Sequence, residues 1–263
     1  MLLTGWLWCL GGGACAGLLA GMLGIGGGLV IVPLLIYLLP ILGVPHELVV
    51  QMAVATSLGT IVMTTLSSTR SHLRHGQVSF FWVRRLVPGL MVGAALGAWL
   101  ATQMNPQWLQ RLLAVVLLLL AVRMLVPQRS GAPLTHVSKR LIALISAGMG
   151  TLSGLVGIGG GSLTVPLLQR LHVPIRQAIA VSSVGSLSIG VAGVITYILL
   201  GQQQTGVDSL FGYVHGPAWI AISMTSILFA PLGAYLTQQL PVNHLQRGFA
   251  ILLVILSLKL VIG

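Results

Sequence analysis

Acidic side chains are nearly absent from this chain, which has only Glu47 and Asp208 among its 263 residues. With two carboxylates, no set of nucleophile, base and orienting group can be assembled. Charged residues make up 6% of the chain, whereas a soluble protein has about one quarter. The composition therefore argues against a soluble protein and against an enzyme, and we expect no catalytic residue and no cofactor.

Cysteine is scarce, and histidine is scattered. Cys9 and Cys15 are six residues apart and do not share a helix face, so we interpret them as small buried hydrophobic residues without a disulfide. The histidines fall in or near predicted loops, and none has the close spacing of a metal-ligand set. They are His46, His72, His75, His136, His172, His215 and His244. We expect no metal site.

Hydrophobic residues, in contrast, make up 56% of the chain and form long runs. This predicts an all-α, polytopic membrane protein whose core lies between helices and against lipid. The first twenty residues lack the positive segment of a signal peptide, so we expect them to belong to the mature structure. The thirteen basic residues stand singly or in pairs between apolar runs, which indicates membrane topology rather than nucleic-acid binding.

A fifteen-residue stretch occurs twice. Residues 21–35 and 154–168 are identical at ten of fifteen positions, and each contains Gly-Ile-Gly-Gly-Gly followed by a proline five residues later. We call residues 24–28 the first break and residues 157–161 the second break. Glycine costs a helix about 1 kcal/mol relative to alanine, and proline about 3. Neither break is therefore expected inside a continuous helix, and paired interruptions of this kind are typical of transporter binding sites.

The order of apolar runs is the same in both halves. Further matches relate residues 51–59 to 177–185, 97–100 to 233–236 and 109–111 to 245–247. We therefore predict two membrane repeats, 1–126 and 139–263, joined by a linker at 127–138. The runs in the first half are 3–23, 29–39, 48–68, 80–102 and 108–126; those in the second half are 140–156, 163–171, 175–200, 213–240 and 245–262.

The basic residues predict how the halves are oriented. Positive-inside reasoning places the 70–85 loop, the linker, the 170–176 loop and Arg247 in the cytoplasm, which accounts for eleven of the thirteen basic residues. Each broken segment must then enter and return as a hairpin, followed by three full spans. This predicts two inverted-topology repeats in the cell (inner) membrane, with both termini on the outer side.

The breaks allow two interpretations. A dinucleotide fingerprint and a phosphate loop are both excluded, because Leu29 and Ser162 follow the glycines where such motifs need glycine or lysine. Unwound backbone at a helix N-terminus would attract an anion, and this gives the candidate site glycines. The alternative is that the glycines only permit tight helix packing. The candidates are Gly26, Gly27, Gly28, Gly159, Gly160 and Gly161.

Hydroxyl and amide side chains recur at matching positions after the breaks. They suit coordination of an oxyanion without a buried charge, and they equally suit hydrogen bonding between helices. Both interpretations stay open. The candidates are Thr56, Ser57, Ser182, Ser183, Gln51 and Gln177.

Both breaks, the Val-Pro-Leu-Leu that follows each of them and the Ala-Thr-Ser and Val-Ser-Ser stretches make the chain resemble the sulfite exporter TauE/SafE family. The resemblance spans almost the whole chain and implies a bacterial inner-membrane protein that moves sulfite or organosulfonates, usually outward. It implies a substrate role for the glycines at 26–28 and 159–161 and for Thr56, Ser57, Ser182 and Ser183.

We therefore expect an anion exporter working by alternating access. The expected partners are a small inorganic or organic anion and the lipid bilayer, with a homodimer as a further candidate. An importer of another small solute and a non-transporting membrane subunit remain alternatives.

Overall fold

The protein is described here by a computed structural model covering residues 2–23, 27–125, 138–202, 211–239 and 242–262. These residues form ten α-helices, and their one β-bridge joins Phe211 to Val214. The helices are α1 (Leu2–Leu23), α2 (Gly28–Ile41), α3 (Val49–Arg74), α4 (Phe80–Gln103), α5 (Pro106–Leu125), α6 (Lys139–Val156), α7 (Gly161–Arg170), α8 (Ile175–Gly201), α9 (Gly216–Gln239) and α10 (Val242–Ile262). The predicted all-α class is confirmed.

The order of long and short helices follows the order of the apolar runs. Among the described residues, α3, α4, α5, α6 and α8 are long and apolar enough to cross a membrane. The helices after the breaks are shorter, with 14 residues in α2 and 10 in α7. At 1.5 Å per residue they measure about 21 and 15 Å, less than the hydrocarbon core of about 30 Å.

The differences from the sequence-based expectation include the end of α3, the start of α9 and the exposure of one cysteine. Helix α3 continues to Arg74, six residues beyond the apolar run, because a helix need not end where it leaves the hydrocarbon. Helix α9 begins at Gly216 rather than at Tyr213, since Phe211 and Val214 form a tight turn. Cys9 is buried as expected, but Cys15 is exposed, so it lies on the outer surface of α1 rather than in the core.

Glycines outside the breaks set the closest helix contacts. A methyl group added at Gly154 on α6 would collide with the backbone of Ala94 on α4. Likewise, a methyl group on Gly17 in α1 would lie 2.5 Å from the Cα of Ser226 in α9. The repeat pairs α1 with α6 and α4 with α9, so these two close contacts join equivalent pairs of helices. Small residues are used for the same purpose in many membrane proteins.

Contacts to α9 indicate that α1 and α2 run in opposite directions. Gly13 and Gly17 of α1 contact Ile222 and Ser226 of α9 in rising order, so the two helices are parallel. Thr56 and Gly59 of α3 meet the residues from His215 to Trp219 in rising order as well. Helices α1 and α3 therefore run in the same direction, and α2 must return between them.

Equivalent helices of the two halves run in opposite directions. In α3 and α8, Leu58 contacts Gly190, while Thr69, further along α3, reaches back to Ser183. In α5 and α10, Gln110 bonds to Leu260 and Ala114 to Ser257. This antiparallel pairing supports the predicted inverted repeat, in which a twofold axis lies across the helices.

The helix directions also place most of the basic residues at one end of the bundle. The end of α3, the starts of α4 and α6, and the ends of α5 and α7 all lie at one end of the bundle. The basic residues of these segments are Arg70, Arg74, Arg84, Arg85, Arg123, Lys139, Arg140 and Arg170. Helix α3 lies at the centre of the bundle, with every residue from Val49 to Ile61 buried.

Candidate functional site

The second break is a buried reversal between α6 and α7. Gly157 ends α6 with φ 72°, a left-handed conformation that glycine adopts without strain. The N–H groups of Gly157 and Ile158 donate to the carbonyl of Ser153 at 2.9 and 3.2 Å. Both bonds go to one of the carbonyl groups that the C-terminus of α6 leaves without a partner inside the helix. Residues 157–161 are all buried, so the backbone turns inside the bundle.

Helix α7 begins with unused backbone donors. The N–H groups of Leu163 and Thr164 both donate to the carbonyl of Gly160, at 3.1 and 2.8 Å. The N–H groups of Gly161 and Ser162 come earlier, where an α-helix has no acceptor of its own, and no acceptor for them occurs among the described residues. They give this end of α7 a partial positive charge.

The described part of the first break, Gly27 and Gly28, also leads into a helix N-terminus. Gly27 precedes α2 with φ 77°, and its carbonyl accepts from the N–H groups of Val30 and Ile31 at 3.0 and 3.1 Å. Gly26, a predicted site residue, lies outside the described residues. The glycine at 27 is needed because a side chain at this φ would be strained.

The two breaks touch each other. A methyl group added at Gly28 would lie 2.5 Å from the carbonyl oxygen of Gly157 and 3.2 Å from the Cα of Ile158. A methyl group at Gly157 would lie 2.8 Å from Val32 in α2. The first turn of α2 therefore packs on the backbone of the second break without space for any side chain. The N-termini of α2 and α7 consequently lie within a few residues of one another.

The hydroxyl groups of Thr56 and Ser57 on α3 form hydrogen bonds with other elements near this contact. The Ser57 hydroxyl donates to the carbonyl of Gly157 at 2.9 Å, which fixes the second break from the α3 side. The Thr56 hydroxyl accepts from the backbone N–H of His215 at 3.0 Å, which anchors the start of α9. Both side chains are fully buried. Thus Ser57 lies at the meeting point of the breaks, whereas Thr56 faces α9.

The matching pair on α8 has a different environment. The Ser183 hydroxyl donates to the carbonyl of Ala180 at 2.8 Å and accepts from Thr69 of α3 at 3.5 Å. Ser182 is buried, with 3% of its surface exposed. Neither side chain is the α8 hydroxyl nearest to Gly160, because a methyl group there would meet Ser186 at 3.9 Å. In the repeat Ser186 corresponds to Thr60, so aligning the halves further would have identified it.

The two glutamines are not brought together. Gln51 is buried on α3, and its amide oxygen has no hydrogen-bond partner among the described residues. Gln177 is exposed in the first turn of α8. Since α3 and α8 are antiparallel, these residues lie toward opposite ends of the bundle. The breaks and Ser57 are therefore the predicted candidates that meet in one place.

His215, which the sequence interpretation placed in or near a loop, has a structural role at the start of α9. Its side chain is 6% exposed, and its Nδ1 accepts from the backbone N–H of Ala218 at 3.2 Å. It thus caps the N-terminus of α9 while its own N–H donates to Thr56. The position directly before Gly-Pro is a signal for a helix start. Among the described residues, no group of three or more His, Cys, Asp or Glu side chains could hold a metal ion.

Comparison with known proteins identifies relatives that match along most of their length. A probable membrane transporter protein of Haemophilus influenzae is 35% identical over 256 residues, covering 97% of each chain. A probable membrane transporter protein of Methanocaldococcus jannaschii is 27% identical, covering 94% of this chain and 91% of its own. A probable inner membrane transporter protein, TsaS of Comamonas testosteroni, is 25% identical, covering 77% and 81%.

No solved structure matches this chain. The family model described as "Sulfite exporter TauE/SafE" matches residues 9–260, nearly the whole sequence. The matched region includes both breaks and all ten helices in part or in full. The chain therefore belongs to the sulfite exporter TauE/SafE family of membrane transporters.

Proposed function

We propose that the protein exports a small sulfur-containing anion, sulfite or an organosulfonate, across the cytoplasmic membrane. The observation that carries this proposal is the contact between the breaks, where Gly28 lies against Gly157 and Ile158. Gly28 is the first residue of α2, and Gly157 and Ile158 precede the start of α7 at Gly161 by four and three residues. We infer that the free N–H groups and the positive dipole ends of both helices act on one anion near this contact. Broken helices arranged in this way bind anionic groups in other transporters.

The charge distribution supports the direction of transport. An interior-negative membrane potential favours exit of an anion by about 2.3 kcal/mol per charge per 100 mV. Export then needs no coupling ion. The chain has two carboxylates in total, Glu47 and Asp208, and Glu47 lies in the loop before α3 rather than within a spanning helix. Intramembrane carboxylates of the kind used in proton relays are thus not needed for this function.

The helix directions support alternating access and a defined sidedness. The antiparallel pairs α3–α8 and α5–α10 fit two inverted halves that rock around the shared contact. The end of the bundle that carries most of the basic residues is proposed to face the cytoplasm. Both termini would then lie outside, in the inner membrane. The name of the Comamonas testosteroni relative, an inner membrane transporter protein, supports this location.

Flux through reconstituted protein tests the proposal. Proteoliposomes are given radiolabelled sulfite, sulfate or a short organosulfonate under an imposed potential of either sign. The control is Gly27→Leu combined with Gly160→Leu, because Gly27 has φ 77° and a side chain at Gly160 would meet Ile189 at 2.6 Å. We expect potential-driven flux of one anion that the folded double variant lacks. Absence of flux for every anion would contradict the proposal and favour a non-transporting subunit, while accumulation against the potential would favour an importer.

A further inference from the structure

An apolar groove of about 400 Å³ lies between α5, α6 and α7. The α5 residues that line it recur at helical spacing, so they form one stripe along the helix. They are Leu112, Val115, Val116, Leu119, Leu120 and Arg123. The groove therefore runs parallel to α5, and the charged residue of the stripe lies at one end of it.

The length of the groove matches one leaflet of a membrane. Helix α5 has 20 residues, about 30 Å at helical rise, which equals the thickness of the hydrocarbon core. Arg123 lies two residues before the end of α5 at Leu125, and so close to the membrane interface. Leu112 lies about 16 Å deeper, near the middle of the bilayer. A lipid chain with its head group at the interface would extend over the same depth.

The groove is open on the outer face of α5. Val115 and Leu119 are more than half exposed, and apolar side chains exposed on a spanning helix contact lipid tails. Val116 of the same stripe is buried, so the groove is closed toward the protein. Water does not readily fill an apolar cavity. An acyl chain from the bilayer is therefore the group that can fill this groove.

The end of the groove at Arg123 is basic on all three helices that enclose it. The exposed basic residues at this end of α5, α6 and α7 are Arg123, Lys139, Arg140 and Arg170. The sequence has no acidic residue between Glu47 and Asp208, so these three helices supply no counter-charge. Glu47 precedes α3 and lies toward the opposite end of the bundle. Basic pockets between spanning helices bind anionic lipid head groups.

The equivalent cation of the second half has an aromatic partner. The match of Arg111 with Arg247 aligns Arg123 with Lys259. The Lys259 ammonium group lies over the Tyr37 ring, 4.3 Å from its centroid, which is a favourable cation–π contact. The cation–π contacts of the described residues do not include Arg123. Its charge is thus available to an anion outside the chain.

We propose that the groove holds one acyl chain of an anionic phospholipid whose phosphate group binds at Arg123. The chain lies along the α5 stripe and packs against Ile158 of the second break and Leu163 in the first turn of α7, which line the groove away from its basic end. A bound lipid thus contacts one of the two breaks directly. The inference concerns the surrounding membrane and does not rest on the identity of the transported anion.

Native mass spectrometry of the full-length protein tests the head-group preference. The protein is released from nanodiscs that contain equal amounts of phosphatidylglycerol and phosphatidylcholine with identical chains. We expect one phosphatidylglycerol molecule to be retained at least about fivefold more often than phosphatidylcholine, because one basic residue near the membrane surface contributes about that factor. Equal retention of the two lipids by the wild-type protein would overturn the inference.

A pair of variants tests the role of Arg123. Arg123→Gln should lower the preference for phosphatidylglycerol about fivefold. Arg74→Gln is the matched control, because Arg74 is exposed at the same end of the bundle but does not line the groove. Equal losses in the two folded variants would show that the overall surface charge attracts the lipid, and would overturn the inference.

Phosphatidylglycerol with a photoactivatable group near the end of one acyl chain locates the chain. We expect its adducts to concentrate in residues 112–123 and 158–163, and excess unlabelled phosphatidylglycerol to suppress them. Adducts spread evenly over all lipid-facing helices would indicate ordinary boundary lipid and overturn the inference.

A second copy of this chain is the rival occupant of the exposed α5 face. In a background with Cys9→Ala and Cys15→Ala, Leu119→Cys tests for it by oxidative cross-linking in nanodiscs large enough for two copies. A disulfide between two copies would show that protein covers the groove, and would overturn the inference. We expect no cross-link, and we expect phosphatidylglycerol to slow labelling of Leu119→Cys by a membrane-soluble thiol reagent.

Discussion

The two breaks approach each other closely because key positions carry no side chain. Gly157 must be glycine both for its φ of 72° and because Val32 and Val54 lie where a side chain would go. Ser57 adds a hydrogen bond to the same residue from a third helix. A glycine-rich segment thus becomes a fixed structure through contacts that are distant in sequence.

Removing the Ser57 hydroxyl tests this point. In Ser57→Ala the carbonyl of Gly157 loses its donor, which we expect to lower the free energy of unfolding by about 1–3 kcal/mol and to slow transport. Ser188→Ala is the control, since that hydroxyl bonds within α8 to Val184 at 2.8 Å. Denaturant titration of both variants in the same lipid gives the comparison. If Ser57→Ala and Ser188→Ala are equally stable, the Ser57 hydrogen bond does not stabilise the second break.

The residue scale is also where sequence reasoning reached its limit. Thr56 and Ser57 are neighbours with similar side chains, yet Thr56 bonds to His215 and Ser57 to Gly157. Periodicity predicts that both are buried but not which element each one faces. The sequence also does not predict that Gln51 is buried while Gln177 is exposed. The repeat gives both positions the same residue type, but each half packs against different neighbours.

At the scale of elements, the helices outside the breaks pack through small residues. Gly17 of α1 has the backbone of Ser226 against it, whereas Gly11 on the same helix has no atom within 4 Å of an added methyl group. The packing interpretation of glycine therefore holds for α1 and α9, where it is independent of any role in binding.

A matched pair of alanine substitutions tests this interface. Gly17→Ala should lower thermal stability, because overpacking of this kind costs about 1–3 kcal/mol. Gly11→Ala should be neutral or slightly stabilising, since alanine is the better helix former by about 1 kcal/mol. Thermal unfolding followed by light scattering in nanodiscs provides the measurement. A Gly17→Ala protein as stable as Gly11→Ala would show that α1 and α9 are further apart.

The helices themselves were largely predictable from the sequence. The lengths of the apolar runs predict the spanning segments, and the positions of glycine and proline predict the breaks. The extension of α3 to Arg74 was missed because hydrophobicity marks the membrane rather than the helix. The exposure of Cys15 was missed because lipid-facing and core-facing positions are both apolar in a membrane helix.

At the scale of the whole molecule, helix direction and charge predict one topology. Contacts among α1, α3 and α9 require a return at α2, and the basic residues then collect at one end of the bundle. Positive-inside reasoning predicts that this end faces the cytoplasm. Sequence supplied the charge pattern, while the helix directions came from contacts such as Thr56 with His215.

Accessible cysteines test this topology. In a background with Cys9→Ala and Cys15→Ala, we expect His75→Cys to be labelled by a membrane-impermeant thiol reagent only after cells are opened. Gln107→Cys, in the first turn of α5, should be labelled on intact cells. His75 and Gln107 are both exposed at opposite ends of α4, so they are matched in accessibility. Labelling of both on intact cells, or the reverse pattern, would contradict the proposed sidedness.

The most direct test of transport at the meeting point of the breaks is potential-driven sulfite and organosulfonate flux through Gly28→Ala proteoliposomes, measured beside Gly148→Ala. The added methyl group at Gly28 lies 2.5 Å from the Gly157 oxygen, whereas at Gly148 it meets no atom within 4 Å. If the overpacking cost of about 1–3 kcal/mol falls on the transporting conformation, flux falls by about fivefold or more in Gly28→Ala and stays at the wild-type level in Gly148→Ala. Equal flux through two folded variants would contradict a transport site where the breaks touch.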